Sequence, residues 1–263
     1  MKRMLSFLLA LFLAIGLLAV TSVTASAAEI EVGNAGALTV ALSSFTSGDT
    51  IKLTADINYS AWIDIDSKIV TLDLNGFTLN ATNGLRVNNN GKLLLVNPAN
   101  GEFNVSTTGT SFNVQVYGAN AKAEITSATT TTANYAVYAN DGEVIVYGDV
   151  KQLKPGATSA HAGAWVMSGK VTVEGSITVT EGAAYAKFGP LPGTDKTSEQ
   201  KTTPTTKTGY FTYTNGSGTV WVKDASYVPP PSKGIFGTNP KWDGAWWHYI
   251  LFFLCFGFIW MWF

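Results

Sequence analysis

Ile63-Asp64-Ile65-Asp66 sets two carboxylates two residues apart, and Asp73 follows in the next alternating run. In an extended strand, residues i and i+2 share one face, so Asp64 and Asp66 stand together with the isoleucines turned the other way. Acids in that arrangement could hold a divalent cation through carboxylate oxygens, or serve as an acid pair at a glycosidic bond. The plainer reading is a solvated strand face over inward isoleucines. No basic cluster or second carboxylate cluster accompanies the three acids. Arg86 is the one arginine after Arg3, and His161 the one histidine before His248. His161 sits in Ser159-Ala160-His161-Ala162-Gly163 with no nearby acid to orient it, and reads as a surface turn residue rather than a base. The residues favour a protein without catalysis and imply no metal or cofactor. A polysaccharide lyase or glycoside hydrolase built on Asp64, Asp66 and Asp73 stands as the alternative.

Aromatic residues offer a second chemistry. Pyranose rings have apolar faces that pack on aromatic side chains, while amides and carboxylates take their hydroxyls. Tyr117, Tyr138, Tyr147, Tyr185 and Trp221 fall on strands or turns spread along the chain and are the candidate ligand-binding residues, to be aligned as a ladder on one face. Tyr135 and Trp165 could join that ladder or, at least as readily, stack inside the solenoid.

These side chains need elements to position them. Short runs with period 2, such as Val70-Thr71-Leu72-Asp73-Leu74 and Lys170-Val171-Thr172-Val173, are bounded by Gly, Asn and Asp and indicate strands. A small residue opens a strand at Gly91, Ala121, Gly142, Gly169 and Gly218, with successive offsets of 30, 21, 27 and 49 residues. Two or three short strands per unit of that length fit one coil of a parallel β-helix. Leu72, Leu74, Leu93, Leu95, Val144, Val146, Val171 and Val173 are then the inward set. An antiparallel sandwich is the competing architecture, but it needs no sequence repeat. The polar stretch 193–208 reads as a flexible insertion between coils. Residues 36–45 form the one short helical candidate, placed to cap the first coil. The fold class expected is all-β, a right-handed parallel β-helix with a short N-terminal cap helix and a C-terminal hydrophobic helix.

The two ends set the compartment. Lys2 and Arg3, an apolar run to Val20 and Ala25-Ser26-Ala27-Ala28 make a secretory signal peptide over 1–28. The last nineteen residues, 245–263, carry no charge and would make a helix of roughly 28 Å, enough to span a bilayer. Trp246, Trp247 and Tyr249 near one end and Trp260 and Trp262 near the other suit the two interfaces. Lys233 and Lys241 lie on the side assigned as outside, against the usual bias of basic residues to the inside, so insertion in an interface or an assembly stays open beside spanning. The domain order is thus signal peptide, cap region 29–47, β-helix 48–226, proline-rich spacer 227–244 with Pro229-Pro230-Pro231, and membrane segment 245–263.

Composition narrows the partners. Net charge is −1, which gives no basic field for nucleic acid. Cys255 is the only cysteine, so the exported part holds no internal disulfide. Asn58, Asn80, Asn104 and Asn215 head N-x-S/T triplets, read as chance in an Asn-, Ser- and Thr-rich chain. Leu191-Pro192-Gly193-Thr194-Asp195 resembles a sortase signal but departs at its last position and lies far upstream of the tail.

Ile69 to Asn80, IVTLDLNGFTLN, preceded by GDTIKLTADI at 48–57, resembles the early coils of β-helix domains in Gram-positive bacterial surface proteins. The likeness covers roughly residues 45 to 180, with GKLLLV and GKVTVE as looser matches to later coils, and the hydrophobic tail also looks like tails of such proteins. The resemblance implies an adhesin-like or carbohydrate-binding protein tethered at the cell surface by its C-terminus. Its partners would be the membrane and an extracellular glycan or host surface.

Overall fold

The computed structural model describes residues 27–229, apart from 108 and 110–112. The signal peptide up to residue 26, Pro230, Pro231, Cys255, the membrane segment 245–263 and its Trp246, Trp247, Tyr249, Trp260 and Trp262 lie outside the described residues. Among the described residues no helix is long and apolar enough to cross a membrane. The chain divides into Met1–Asp224 and Ala225–Phe263; the architecture below is that of the first unit.

Period-2 runs become strands throughout, and the chain winds into a parallel β-solenoid of about seven turns. It opens with β1 (Glu29–Val32) and helix α1 (Ala35–Ser44). Three strands per coil follow: β2 (Thr50–Leu53), β3 (Ile57–Tyr59) and β4 (Ile63–Asp66), then β5 (Ile69–Asp73), β6 (Thr78–Ala81) and β7 (Leu85–Asn88). Next come β8 (Lys92–Leu95), β9 (Glu102–Thr107) and β10 (Val114–Tyr117), and then β11 (Lys122–Ile125), β12 (Ser127–Thr130) and β13 (Tyr135–Val146). The last coils use β14 (Val150–Gln152), β15 (Ala162–Val173), β16 (Ile177–Val179) and β17 (Ala184–Phe188). The closing strands are β18 (Thr194–Lys196), β19 (Tyr210–Thr214) and β20 (Gly218–Lys223).

Pairing sorts these strands into three sides. Side 1 stacks β1, β2, β5, β8, β11, the second halves of β13 and β15, and β20. Side 2 stacks β3, β6, β9, β12, β14 and β16. Side 3 stacks β4, β7, β10, the first halves of β13 and β15, and β17. Both long strands turn the corner from side 3 to side 1, and their pairing shifts register there between Ala139 and Glu143. All these pairs are parallel, which excludes the sandwich. Antiparallel pairing appears only at the C-terminal end among the described residues, where β18 joins β17 and β19 joins β20.

The repeat seen in the sequence is this corner. Lys92 pairs with Lys122, Lys122 with Glu143, Glu143 with Lys170 and Gly169 with Gly218, which reproduces the sequence offsets. Small residues recur there because coils touch. A Cβ at Gly169, whose φ is 98°, would lie 2.3 Å from the Gly142 carbonyl oxygen. All eight residues expected to point inward are buried. Burying each aliphatic side chain contributes roughly 1.5–3 kcal/mol over leaving it exposed.

The helix forms as expected, one residue earlier at its start. The Asn34 side-chain oxygen accepts the Ala37 N–H at 2.9 Å and caps it. Leu38 and Ala41 are buried in the main core, and α1 packs against β1 and β3, each the first strand of its side. The cap region also supplies β1 itself, paired with β2. The stretch 193–208 lies between β17 and β19. It is hydrogen-bonded rather than featureless: β18 pairs with β17, the Thr202 N–H donates to the Thr212 carbonyl at 2.7 Å, and the Thr206 N–H donates to Thr212 Oγ1 at 3.0 Å.

Candidate functional site

The acidic candidates do not converge. Asp64 and Asp66 project from β4 on side 3, whereas Asp73 ends β5 on side 1. Asp64 faces Arg86 in register on β7, and the guanidinium reaches both carboxylate oxygens, with Nε donating at 3.1 Å. Asn88 donates a further bond to Asp64 at 3.1 Å. Asn89 and Ser67 each donate to Asp66 at 2.9 Å and hold its carboxyl below the ordinary range, the Asn89 bond being the larger cause. Asp73 accepts the Asn75 N–H at 2.9 Å. Among the described residues no three His, Cys, Asp or Glu side chains are grouped to hold a metal. His161 is not a surface residue: it is 8% exposed, and its Nδ1 accepts the Thr158 N–H at 3.0 Å. Burial first, then the Lys154 charge, lowers its pKa below 6.5.

The aromatic candidates scatter over several places. Val137 and Ala139 belong to the tube's core, so Tyr138 between them points outward, as does Trp165 between Ala164 and Val166. Tyr135 and Trp165 thus belong with Tyr138 to a second cluster on the outer surface of side 3. Ring centroids there are 4.3 Å apart for Tyr135 and Trp165, 5.2 Å for Tyr138 and Trp165, and 5.3 Å for Tyr117 and Tyr138. These rings cover one another, and Tyr138 is only 7% exposed. Burial pushes the Tyr135 phenol up to about 12. The Trp165 indole N–H donates to the Gly189 carbonyl at 2.9 Å. Beside it Lys187, 2% exposed, pairs with Asp195 and donates to the Ser159 carbonyl at 2.9 Å.

Tyr185 packs its ring 5.2 Å from the buried Tyr213 and serves the C-terminal end of the core. Trp221 lies on side 1, with the Lys170 and Lys207 ammoniums 5.9 and 5.6 Å from its ring centre and its N–H on Thr206 Oγ1 at 2.9 Å. Cations and the Thr206 bond thus already engage this indole. The five residues therefore do not form a single ladder.

Tyr147 borders a concave site. Past the end of β13, Tyr147-Gly148-Asp149 rounds the corner from side 1 to side 2. There a cleft of about 300 Å³ opens, lined by Tyr147, Glu102, Asn104, Ser127, Asp149 and Lys151 among others. Asp149 accepts the N–H and the hydroxyl of Ser176, each at 2.9 Å, and Lys151 stands 3.5 Å away. The Ser176 backbone bond above all keeps the Asp149 carboxyl ionised below its ordinary range. Asn104 is fixed on all sides: its oxygen accepts from Ser127 at 2.6 Å and Thr126 at 3.3 Å, and its nitrogen donates to Glu102 at 2.9 Å and Asn80 at 3.3 Å. A pre-set amide, two carboxylates, an ammonium and a tyrosine ring suit a polyhydroxylated ligand.

Sequence reasoning named Tyr147 but missed its neighbours. Their signal was present in the triplets dismissed as chance, since Asn58, Asn80 and Asn104 are spaced one coil apart. Compared with known proteins, the chain matches no family model, no curated protein and no solved structure.

Proposed function

We propose that this chain is a glycan-binding display protein of the cell surface that performs no catalysis. In this reading it is exported by its first 28 residues, folds as a right-handed parallel β-helix, and is held on a proline-rich spacer by the hydrophobic segment 245–263. The adhesin-like role on a Gram-positive surface comes from the resemblance at 48–80. The observation that carries glycan binding is the Tyr147 cleft, which sets one aromatic ring beside hydrogen-bonding groups already locked in place. Groups ordered before binding lose little further freedom when a ligand arrives.

The test is a glycan array probed with the full chain in detergent, alongside Tyr147→Ala. Retention of at least one glycan that drops tenfold or more in the variant supports the reading. No retained glycan, or retention indifferent to Tyr147→Ala, overturns it. Shortening of a uronate polymer by the wild type but not by Asp64→Asn/Asp66→Asn would install the hydrolytic or lyase alternative instead. For the tether, cells making the full chain are fractionated against cells making a chain that stops at Gly234. Equal sedimentation of both with membranes would remove the tail's role.

A further inference from the structure

We infer that the ligand is an uncharged oligosaccharide lying along the solenoid axis, one ring in the Tyr147 cleft and the following units over an asparagine ladder on side 2. The inference rests on the cleft reading above and adds a second binding surface and a ligand class.

The ladder leads out of the cleft. Asn58, Asn80 and Asn104 stand in register on β3, β6 and β9, and Ser127 on β12 continues the row. Asn80 donates to Asn58 at 3.0 Å and Asn104 to Asn80 at 3.3 Å. Asn104 belongs to both the ladder and the cleft wall. From β3 to β14 there are four strand steps, about 19 Å at the usual spacing of about 4.8 Å.

Hydrogen-bonding capacity grows along the row. Asn104 uses both amide hydrogens and takes two hydroxyl donors. Asn80 gives one N–H to Asn58 and keeps the other. Among the described residues the Asn58 amide nitrogen donates to nothing, and Asn58 is exposed. Asn58 and Asn80, one coil apart and beyond the saturated Asn104, therefore present spare donors and acceptors that a chain of sugars can meet with its hydroxyls.

Charge sets the class. Asn58, Thr78, Asn80, Asn104, Ser127 and Thr129 face outward without charge. The cleft itself holds the Glu102 and Asp149 carboxylates against a single ammonium, Lys151, which already stands by Asp149. Carboxylates accept from neutral hydroxyls and repel anionic sugars. A uronate or sialylated chain is thus a poor fit.

Titration calorimetry of the full chain with gluco-, manno- and N-acetylchito-oligosaccharides of one, three and five units decides it, with oligogalacturonates of the same lengths beside them. At least one neutral series should tighten tenfold or more from one unit to five, and the oligogalacturonates should bind at least tenfold more weakly. Asn58→Ala and Asn80→Ala should each remove most of that length gain, and Asn58→Ala, whose side chain meets Asn80 rather than a cleft residue, should leave the single-unit affinity unchanged. Asn58→Ala, at an exposed site, decides alone if Asn80→Ala fails to fold. Length-independent binding, variants equal to wild type, tighter binding of galacturonates or no neutral binding each overturns the inference. Binding abolished by Tyr147→Ala but showing no length gain sinks the ladder and spares the cleft; a length gain indifferent to Tyr147→Ala sinks the cleft reading.

Discussion

Asp64 and Arg86 oppose each other in register on neighbouring strands, and the guanidinium grips both oxygens of the carboxylate. The most suggestive acid of the sequence is thereby committed to an ion pair on the outer surface of side 3. Both partners are about two-fifths exposed, so the pair stabilises by no more than about 1 kcal/mol. Asp64→Asn should therefore shift the denaturant midpoint only slightly and leave glycan retention at the Tyr147 cleft unchanged. A large loss of retention would place the binding site on side 3 instead.

Lys187 presents the opposite case. It stands in register beside Trp165, and its buried ammonium is held by Asp195 and the Ser159 carbonyl. Removing one partner of a buried pair leaves an uncompensated charge, although Asp195 keeps partial contact with water. Lys187→Ala should cost about 2–4 kcal/mol in urea unfolding. A cost under about 0.5 kcal/mol would mean that the clasp contributes nothing to the fold.

Gly169 and Gly156 separate crowding from backbone strain. Both have positive φ, 98° and 66°, but only at Gly169 would a Cβ strike the preceding coil, 2.3 Å from the Gly142 oxygen. At Gly156 nothing lies within 4 Å. Gly156→Ala should cost roughly 1–2 kcal/mol for the left-handed backbone alone. Gly169→Ala should cost more than that and lower the melting temperature further. Equal costs would show that coil contact is not what selects glycine at this corner.

His161 gives the fold a pH dependence of definite sign. Its folded pKa lies below the ordinary 6.5 because burial disfavours the imidazolium. Its contribution is therefore complete above pH 6.5 and is lost as pH falls through the lowered folded value. Urea midpoints measured from pH 7.5 down to 5 should decline in the wild type and decline less in His161→Gln. Parallel curves would refute the assignment.

Much of the tube was legible in the chain. Leu72 and Leu74 flank Asp73, and Val171 and Val173 flank Thr172, and a period of 2 can bury only one face of a strand. Gly91, Gly142, Gly169 and Gly218 recur because coils come close at that corner: an added Cβ would meet backbone at Gly91 and Gly169 and a valine side chain at Gly142 and Gly218. The local helix at 35–44 was visible for a similar reason, being set by neighbours in sequence.

Which outer side chains meet was decided by winding alone. Asp66 and Asp73 are seven residues apart and end on different sides, while Tyr147 and Asn104 are 43 apart and share a cleft. Local pattern says whether a residue points in or out. The length of each coil, which varies from 21 to 49 residues on side 1, sets which strand lies beside which. That length depends on turns and insertions whose closure only the stacked tertiary structure settles.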